Sequence, residues 1–170
     1  MKIQDLQNGD LLFTVGQSDM AAAIRTATGS YSHVGIFFDG EIYHATQDKG
    51  VIHQPLSQFL EEEAIYHVFS YPEIDAPSVF KEAKSHLGKP YNASFYPESE
   101  GFYCSEYIAR ILPIFETIPM QFADGENAVS TFWQAYYEDL GVAVPLGQPG
   151  TNPSQLAQSA KFIYKGELHD

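Results

Sequence analysis

The stretch His33-Val34-Gly35-Ile36-Phe37-Phe38-Asp39-Gly40-Glu41-Ile42-Tyr43-His44-Ala45 decides the architecture. Two β-prone runs flank an Asp-Gly pair, which takes positive φ readily and so favours a two-residue hairpin turn. In such a hairpin Phe38 faces Glu41, so opposed residue numbers sum to 79. Position 35 then faces 44, and His33, two residues from 35, projects to the same side as His44. The two imidazoles become diagonal neighbours, roughly 5–8 Å apart at Cβ.

Working outward, Asn8-Gly9-Asp10 signals a turn, and Leu11–Val15 reads as a strand after it. Ser18 or Asp19 can cap a short Ala-rich helix over 20–26. Beyond the hairpin, 50–54 reads as a strand that Pro55 breaks. Ser57 can cap a short acidic helix running to residue 63, and 65–69 reads as another strand. The first half is therefore a meander of antiparallel strands. The second half turns helical. Pro77 suits the first turn of a helix over 77–87, with Gly88 past its end. A helix over 104–112 stops at Pro113, and Ser130 caps another that runs to Leu140 and stops at Gly141. The Gly/Pro-rich 144–153 reads as loop, 161–164 as an edge strand, and the last residues are expected to fray. The class is α+β, one domain over 1–170, with an antiparallel sheet packed against the helix that bears the cysteine.

Composition narrows the function. Nine Lys and Arg against 22 Asp and Glu give a formal charge of −13, which repels phosphate backbones and anionic headgroups, so no nucleic acid partner is expected. With a single cysteine, Cys104, no intrachain disulfide can form. No apolar run approaches the roughly 20 residues that span a bilayer, so no stable membrane insertion is expected. The polar start shows no signal peptide, which makes a cytoplasmic location the default, and a periplasmic or secreted one the alternative if a leader was removed. There is no Cys pair, HExxH, EF-hand loop or glycine-rich phosphate loop, so neither a metal nor a cofactor is expected. The oligomeric state stays open.

Four residues stand out chemically. Cys104 opens a helix, where unpaired N–H groups and the macrodipole favour a thiolate and can hold an oxyanion. From position alone, a small buried core residue is the commoner reading. His33, at a strand start, can face that helix end as the base of the thiol, though an isolated strand histidine is more often structural. His44 can accept the Nδ1 proton of His33 and orient the ring. Its rival reading is a partly exposed sheet histidine. Tyr91, after Gly88-Lys89-Pro90, can donate to an oxyanion, or simply pack like the other tyrosines. Glu106 either pairs locally or lines the cleft.

Asn8-Gly9-Asp10-Leu11-Leu12-Phe13, Tyr31-Ser32-His33-Val34-Gly35-Ile36, Tyr43-His44-Ala45, Gly88-Lys89-Pro90-Tyr91 and Tyr103-Cys104-Ser105-Glu106 follow one another in an order with meaning. Together they resemble the YiiX/YebB-like branch of the NlpC-type cysteine peptidases, proteins of circularly permuted papain-like fold in which the histidine strands precede the cysteine helix. The resemblance covers 8–112, and 113–170 has no counterpart in it, reading as an extension that covers the cleft or shapes a pocket. It implies Cys104 as nucleophile, His33 as general base and His44 in an orienting slot that this branch often fills with glutamate. It also implies Tyr91 at the oxyanion site, and Ser32 and Glu106 are expected beside it as oxyanion or substrate-binding residues. The expected function is a cysteine hydrolase that cleaves a peptide or isopeptide amide, cell-wall-type peptides included, through an acyl-cysteine. The alternatives are acyl transfer from lipid or amide donors, and a non-catalytic papain-like binding module. The expected partner is a small peptide or amide substrate.

Overall fold

The computed structural model describes residues 1–169. The strands are β1 (Leu11–Val15), β2 (His33–Phe38), β3 (Glu41–Thr46), β4 (Gly50–Pro55), β5 (Ile65–Ser70), the two-residue β6 (Ile118–Pro119) and β7 (Pro149–Gly150), and β8 (Ile163–Glu167). The helices are α1 (Asp19–Thr28), α2 (Leu56–Phe59), α3 (Ala76–Ser85), α4 (Cys104–Ile111), α5 (Thr131–Leu140) and α6 (Pro153–Ala157). Six strands form one sheet in the order β4-β3-β2-β1-β5-β8, every pairing antiparallel, and β6 pairs with β7 apart from it.

The period-two alternation of the strands separates two cores. Val34, Ile36 and Phe38 of β2, with Leu11 and Phe13 of β1 and Tyr43 and Ala45 of β3, pack under Val79 and Ala83 of α3 and Tyr107, Ile108 and Ile111 of α4. The alternate positions Leu12, Ile42 and Val68 pack on the other side with Leu56 and Phe59 of α2 and Tyr66. A third cluster joins Phe122, Trp133 and Tyr137 to Met20, Ala23 and Ile24 of α1. It ties the last third of the chain to the helix before β2.

Local chemistry explains most boundaries. Ser18 and Ser130 cap α1 and α5 by accepting from the N–H groups of Ala21 and Trp133, and Gly141 ends α5 in the left-handed region at φ 75°. Four expectations change. The helix after Pro55 is a single turn capped by no side chain, and it stops at Phe59 because Leu60 is already extended, so no acidic helix reaches residue 63. The 144–153 stretch is not all loop: it contributes β7, and Asn152 caps a short α6 after it. The C-terminal edge strand starts two residues and ends three residues later than 161–164. The chain after it is anchored to residue 169, the His169 N–H donating to the Met1 carbonyl at 2.8 Å. No helix among the described residues is long and apolar enough to cross a membrane.

Candidate active site

Strand register brings the histidines together. Phe38 pairs with Glu41, Phe37 with Ile42 and Ile36 with Tyr43, the register of a two-residue turn. His33 and His44 fall on the α2 side of the sheet, each ring packed near Phe59. Gly35 leaves the room: a Cβ there would stand 3.3 Å from the His44 Cβ and 2.6 Å from Ile42 Cγ2.

His33 Nε2 lies 2.8 Å from His44 Nδ1, and His44 Nε2 lies 2.6 Å from Gln54 Oε1. An amide oxygen only accepts, so His44 carries its proton on Nε2 and its Nδ1 accepts from His33 Nε2–H. The ring nitrogen of His33 left with a free lone pair is therefore Nδ1. The hairpin reading assigns the orienting bond to Nδ1; the structure places it on Nε2. Burial keeps both rings neutral, pushing His33 down to about 3 and His44 to about 4, with the neighbouring His44 adding to the effect on His33.

Gln54 is the member that sequence reasoning missed. On β4 it pairs with Ile42 of β3 and lies two residues beyond Ile52, the partner of His44, so it is a diagonal neighbour of His44 on the same face. Counting back from a turn at 47–49 would have found it.

Cys104 arrives from the other layer. The spacing of Cys104, Tyr107, Ile108 and Ile111 gives α4 one buried face, which fixes the sulfur at the first turn against β2. The helix end does not produce a thiolate. Burial drives the thiol up to about 11, and the backbone groups of Val34, Ser105 and Cys104 itself offset only part of that. The thiol and the His33 imidazole are thus each neutral, because for the sulfur desolvation of an anion exceeds what the helix N-terminus returns.

One cleft of about 450 Å³ is lined by Cys104, His33, His44 and Gln54 together with Ser32 and Tyr91. Tyr91 is fixed by its bridge to Phe102, and burial, followed by Cys104 and Tyr136, holds its phenol well above the usual value, so it is a donor throughout the neutral range. Ser32 lines the cleft, but its hydroxyl donates to the Thr14 carbonyl and accepts from Gly16 N–H. Glu106 does not line this cleft. Its Oε1 accepts from Tyr103 N–H and Asn92 Nδ2 at 3.2 Å each, and burial raises it to about 7. Thr151 N–H and Oγ1 donate to Tyr103 Oη and Ser105 Oγ, pinning the 149–152 segment beside the cysteine.

Comparison with known proteins bears on the family and the fold. A family model described as permuted papain-like amidase enzyme, YaeF/YiiX, C92 family, matches residues 5–162, so it reaches well past residue 112 into the last third of the chain. The uncharacterized protein YiiX of Escherichia coli (strain K12) is 30% identical over a region covering 62% of this chain and 56% of that protein, little more than half the relative's length. The crystal structure of the metalloprotein yiiX from Escherichia coli O157:H7 superposes with a TM-score of 0.80 at 24% identity, covering 95% of this chain and 97% of that one. At that identity the superposition establishes the fold.

Proposed function

The chain belongs to the permuted papain-like amidases of the YaeF/YiiX, C92 family, and we propose that it hydrolyses an amide of a small peptide or amine with Cys104 as nucleophile, His33 as general base and His44 as the residue that orients it. The observation that carries this reading is the hydrogen-bonded row His33–His44–Gln54, whose first ring lines the same cleft as the only thiol. The sulfur attacks the carbonyl carbon as its proton passes to His33 Nδ1, forming the S–C bond and an oxyanion. Tyr91 and the backbone N–H of Cys104 donate to that oxyanion; each such donor is typically worth on the order of 10²–10³ in rate. The oxyanion collapses, the C–N bond breaks, and the imidazolium gives its proton to the departing nitrogen. Water, deprotonated by His33, then releases the acid and returns the thiol. Cell-wall-type peptides carry such amides.

The structural neighbour is described as a metalloprotein, so the fit of a metal to these side chains matters. Two imidazole nitrogens on one tetrahedral zinc stand about 3.3 Å apart, whereas His33 Nε2 and His44 Nδ1 are 2.8 Å apart and share a proton. Among the described residues no three His, Cys, Asp or Glu side chains group to hold a metal ion. These residues do not fit one, and no step above runs through it.

The test is turnover of amides with basic leaving groups. Cys104→Ala abolishes it and Cys104→Ser nearly so, with the folded spectrum retained. Activity surviving in Cys104→Ala removes the mechanism.

A further inference from the structure

An oxyanion donor acts only if its hydroxyl is held where the charge develops. The backbone of Tyr91 is fixed by its bridge to Phe102: Phe102 N–H donates to the Pro90 carbonyl at 3.0 Å, and Asn92 N–H donates to the Phe102 carbonyl at 3.1 Å. That bridge leaves the direction of the ring open. Phe95 meets the Tyr91 ring edge-on, with centroids 6.2 Å apart and planes at 88°. Phe95 itself stands at φ 63°, a left-handed conformation that a bulky side chain disfavours, so its segment must be held from outside. The hold comes from α5. Tyr136 Oη donates to the Ala93 carbonyl at 2.6 Å, and Tyr137 Oη donates to the Ser94 carbonyl at 2.9 Å. Trp133 and Tyr136 also close on the Phe95 ring, with centroids 5.9 and 6.3 Å away.

These contacts make one line of support. Each tyrosine lies 43 residues along the chain from the carbonyl it holds, so the support is tertiary and not a property of the loop. Neither tyrosine lines the cleft of Cys104 and His33. Each acts through the 93–95 segment. With both carbonyls released, Phe95 relaxes out of the left-handed region and takes its ring off Tyr91. The phenol is then free to turn away from the oxygen it is placed to meet, and the entropy of fixing it falls on the transition state. Resting on the amidase reading above, we infer that Tyr136 and Tyr137 of α5 are positioning residues for the oxyanion donor Tyr91, which they hold in place through the 93–95 segment and the Phe95 ring.

The full chain is compared with the Tyr136→Phe/Tyr137→Phe variant, which keeps both rings and loses both hydroxyls, with Tyr91→Phe, and with all three substitutions combined. Amine release from an amide is followed by mass spectrometry. Loss of the two hydroxyls is expected to lower kcat about tenfold at nearly constant KM, less than the roughly 10²–10³ expected of Tyr91→Phe, which removes a donor outright. In the Tyr91→Phe background the same two substitutions are expected to cost less than about twofold, because no phenol is left to position. Alkylation of Cys104 by iodoacetamide, which builds no oxyanion, is expected to stay nearly unchanged in the Tyr136→Phe/Tyr137→Phe variant. No loss of kcat, an equal loss in both backgrounds, or alkylation that falls in step with turnover overturns the positioning role. A probe that needs no turnover separates this inference from the mechanism beneath it: Tyr91→3-fluorotyrosine, read by fluorine NMR. If no amide is hydrolysed, the hydrolase reading fails. A fluorine signal that shifts or broadens when the two α5 hydroxyls are removed then still supports the hold on the ring, and an unchanged signal overturns it.

Discussion

His33 Nε2 hydrogen-bonds His44 Nδ1 at 2.8 Å, and this one contact fixes which nitrogen of His33 can act as a base. The direction of the bond is set a residue further out, by the Gln54 amide oxygen that accepts from His44 Nε2–H at 2.6 Å. Gln54→Leu keeps the volume and removes that acceptor. It leaves a buried donor unpaired, a cost of about 1–3 kcal/mol, and lets His44 take the other tautomer. The expected result is a kcat about tenfold or more lower at nearly constant KM, with Gln54→Glu restoring most of it. Equal kcat in Gln54→Leu and the unmodified protein means that the tautomer of His44 is set elsewhere.

The neutral resting pair has its own kinetic signature. Burial raises the Cys104 thiol to about 11 and lowers His33 to about 3, so between these values sulfur keeps its proton and imidazole takes none. The rate of alkylation by iodoacetamide is expected to climb with pH across the neutral range, without the acid-side plateau that a thiolate–imidazolium pair gives. His33→Ala is expected to slow that alkylation near pH 7, because the thiol loses the base that takes its proton, and to remove amide turnover. A plateau beginning below pH 6 contradicts the neutral pair.

Gly35 is the hinge of this geometry in a packing sense. A methyl group at position 35 would press on Ile42, which is fully buried and has nowhere to move, and on the Cβ of His44. Gly35→Ala is expected to destabilise the fold by about 1–3 kcal/mol and to lower kcat by pushing His44 away from His33. Thermal unfolding and turnover, measured on the same preparation, check both; an alanine that changes neither shows that the strands can part without cost.

Much of this arrangement was legible in the sequence because it depends on local rules. The Asp39-Gly40 turn set the register, and the register put His33 and His44 on one face. Ser18, Ser130 and Gly141 marked helix ends by capping chemistry that needs no tertiary context. What stayed hidden was non-local. Gln54 depended on the longer turn between β3 and β4, whose length the sequence did not settle. The ionisation of Cys104 was read from its place at a helix start, where a dipole effect can be seen, whereas desolvation comes from side chains scattered along the chain. The short β7 and α6 form where Tyr103 and Ser105 tie down a Gly/Pro-rich segment, a partnership across more than 40 residues.

Acid stability offers a last prediction in which opposing groups can be counted. His33 and His44 have folded values below the ordinary 6.5, at about 3 and about 4. Between about 4 and 6.5 the unfolded chain therefore binds two more protons at these sites, and the stability they contribute is present above 6.5 and lost as pH falls through about 4 and about 3. Glu106 has the opposite sign: burial raises it from 4.5 to about 7, so the folded chain holds a proton that the unfolded one has released, and its contribution is lost as pH rises from 4.5 through 7. Between pH 4.5 and 6.5 the three groups sum to about one proton taken up on unfolding. Glu106→Gln removes the opposing member and leaves about two. The variant is expected to lose stability more steeply on acidification than the unmodified protein, by about 1.4 kcal/mol per pH unit. Urea unfolding at half-unit intervals over that window measures the two slopes, and parallel slopes would mean that Glu106 is already ionised in the folded protein.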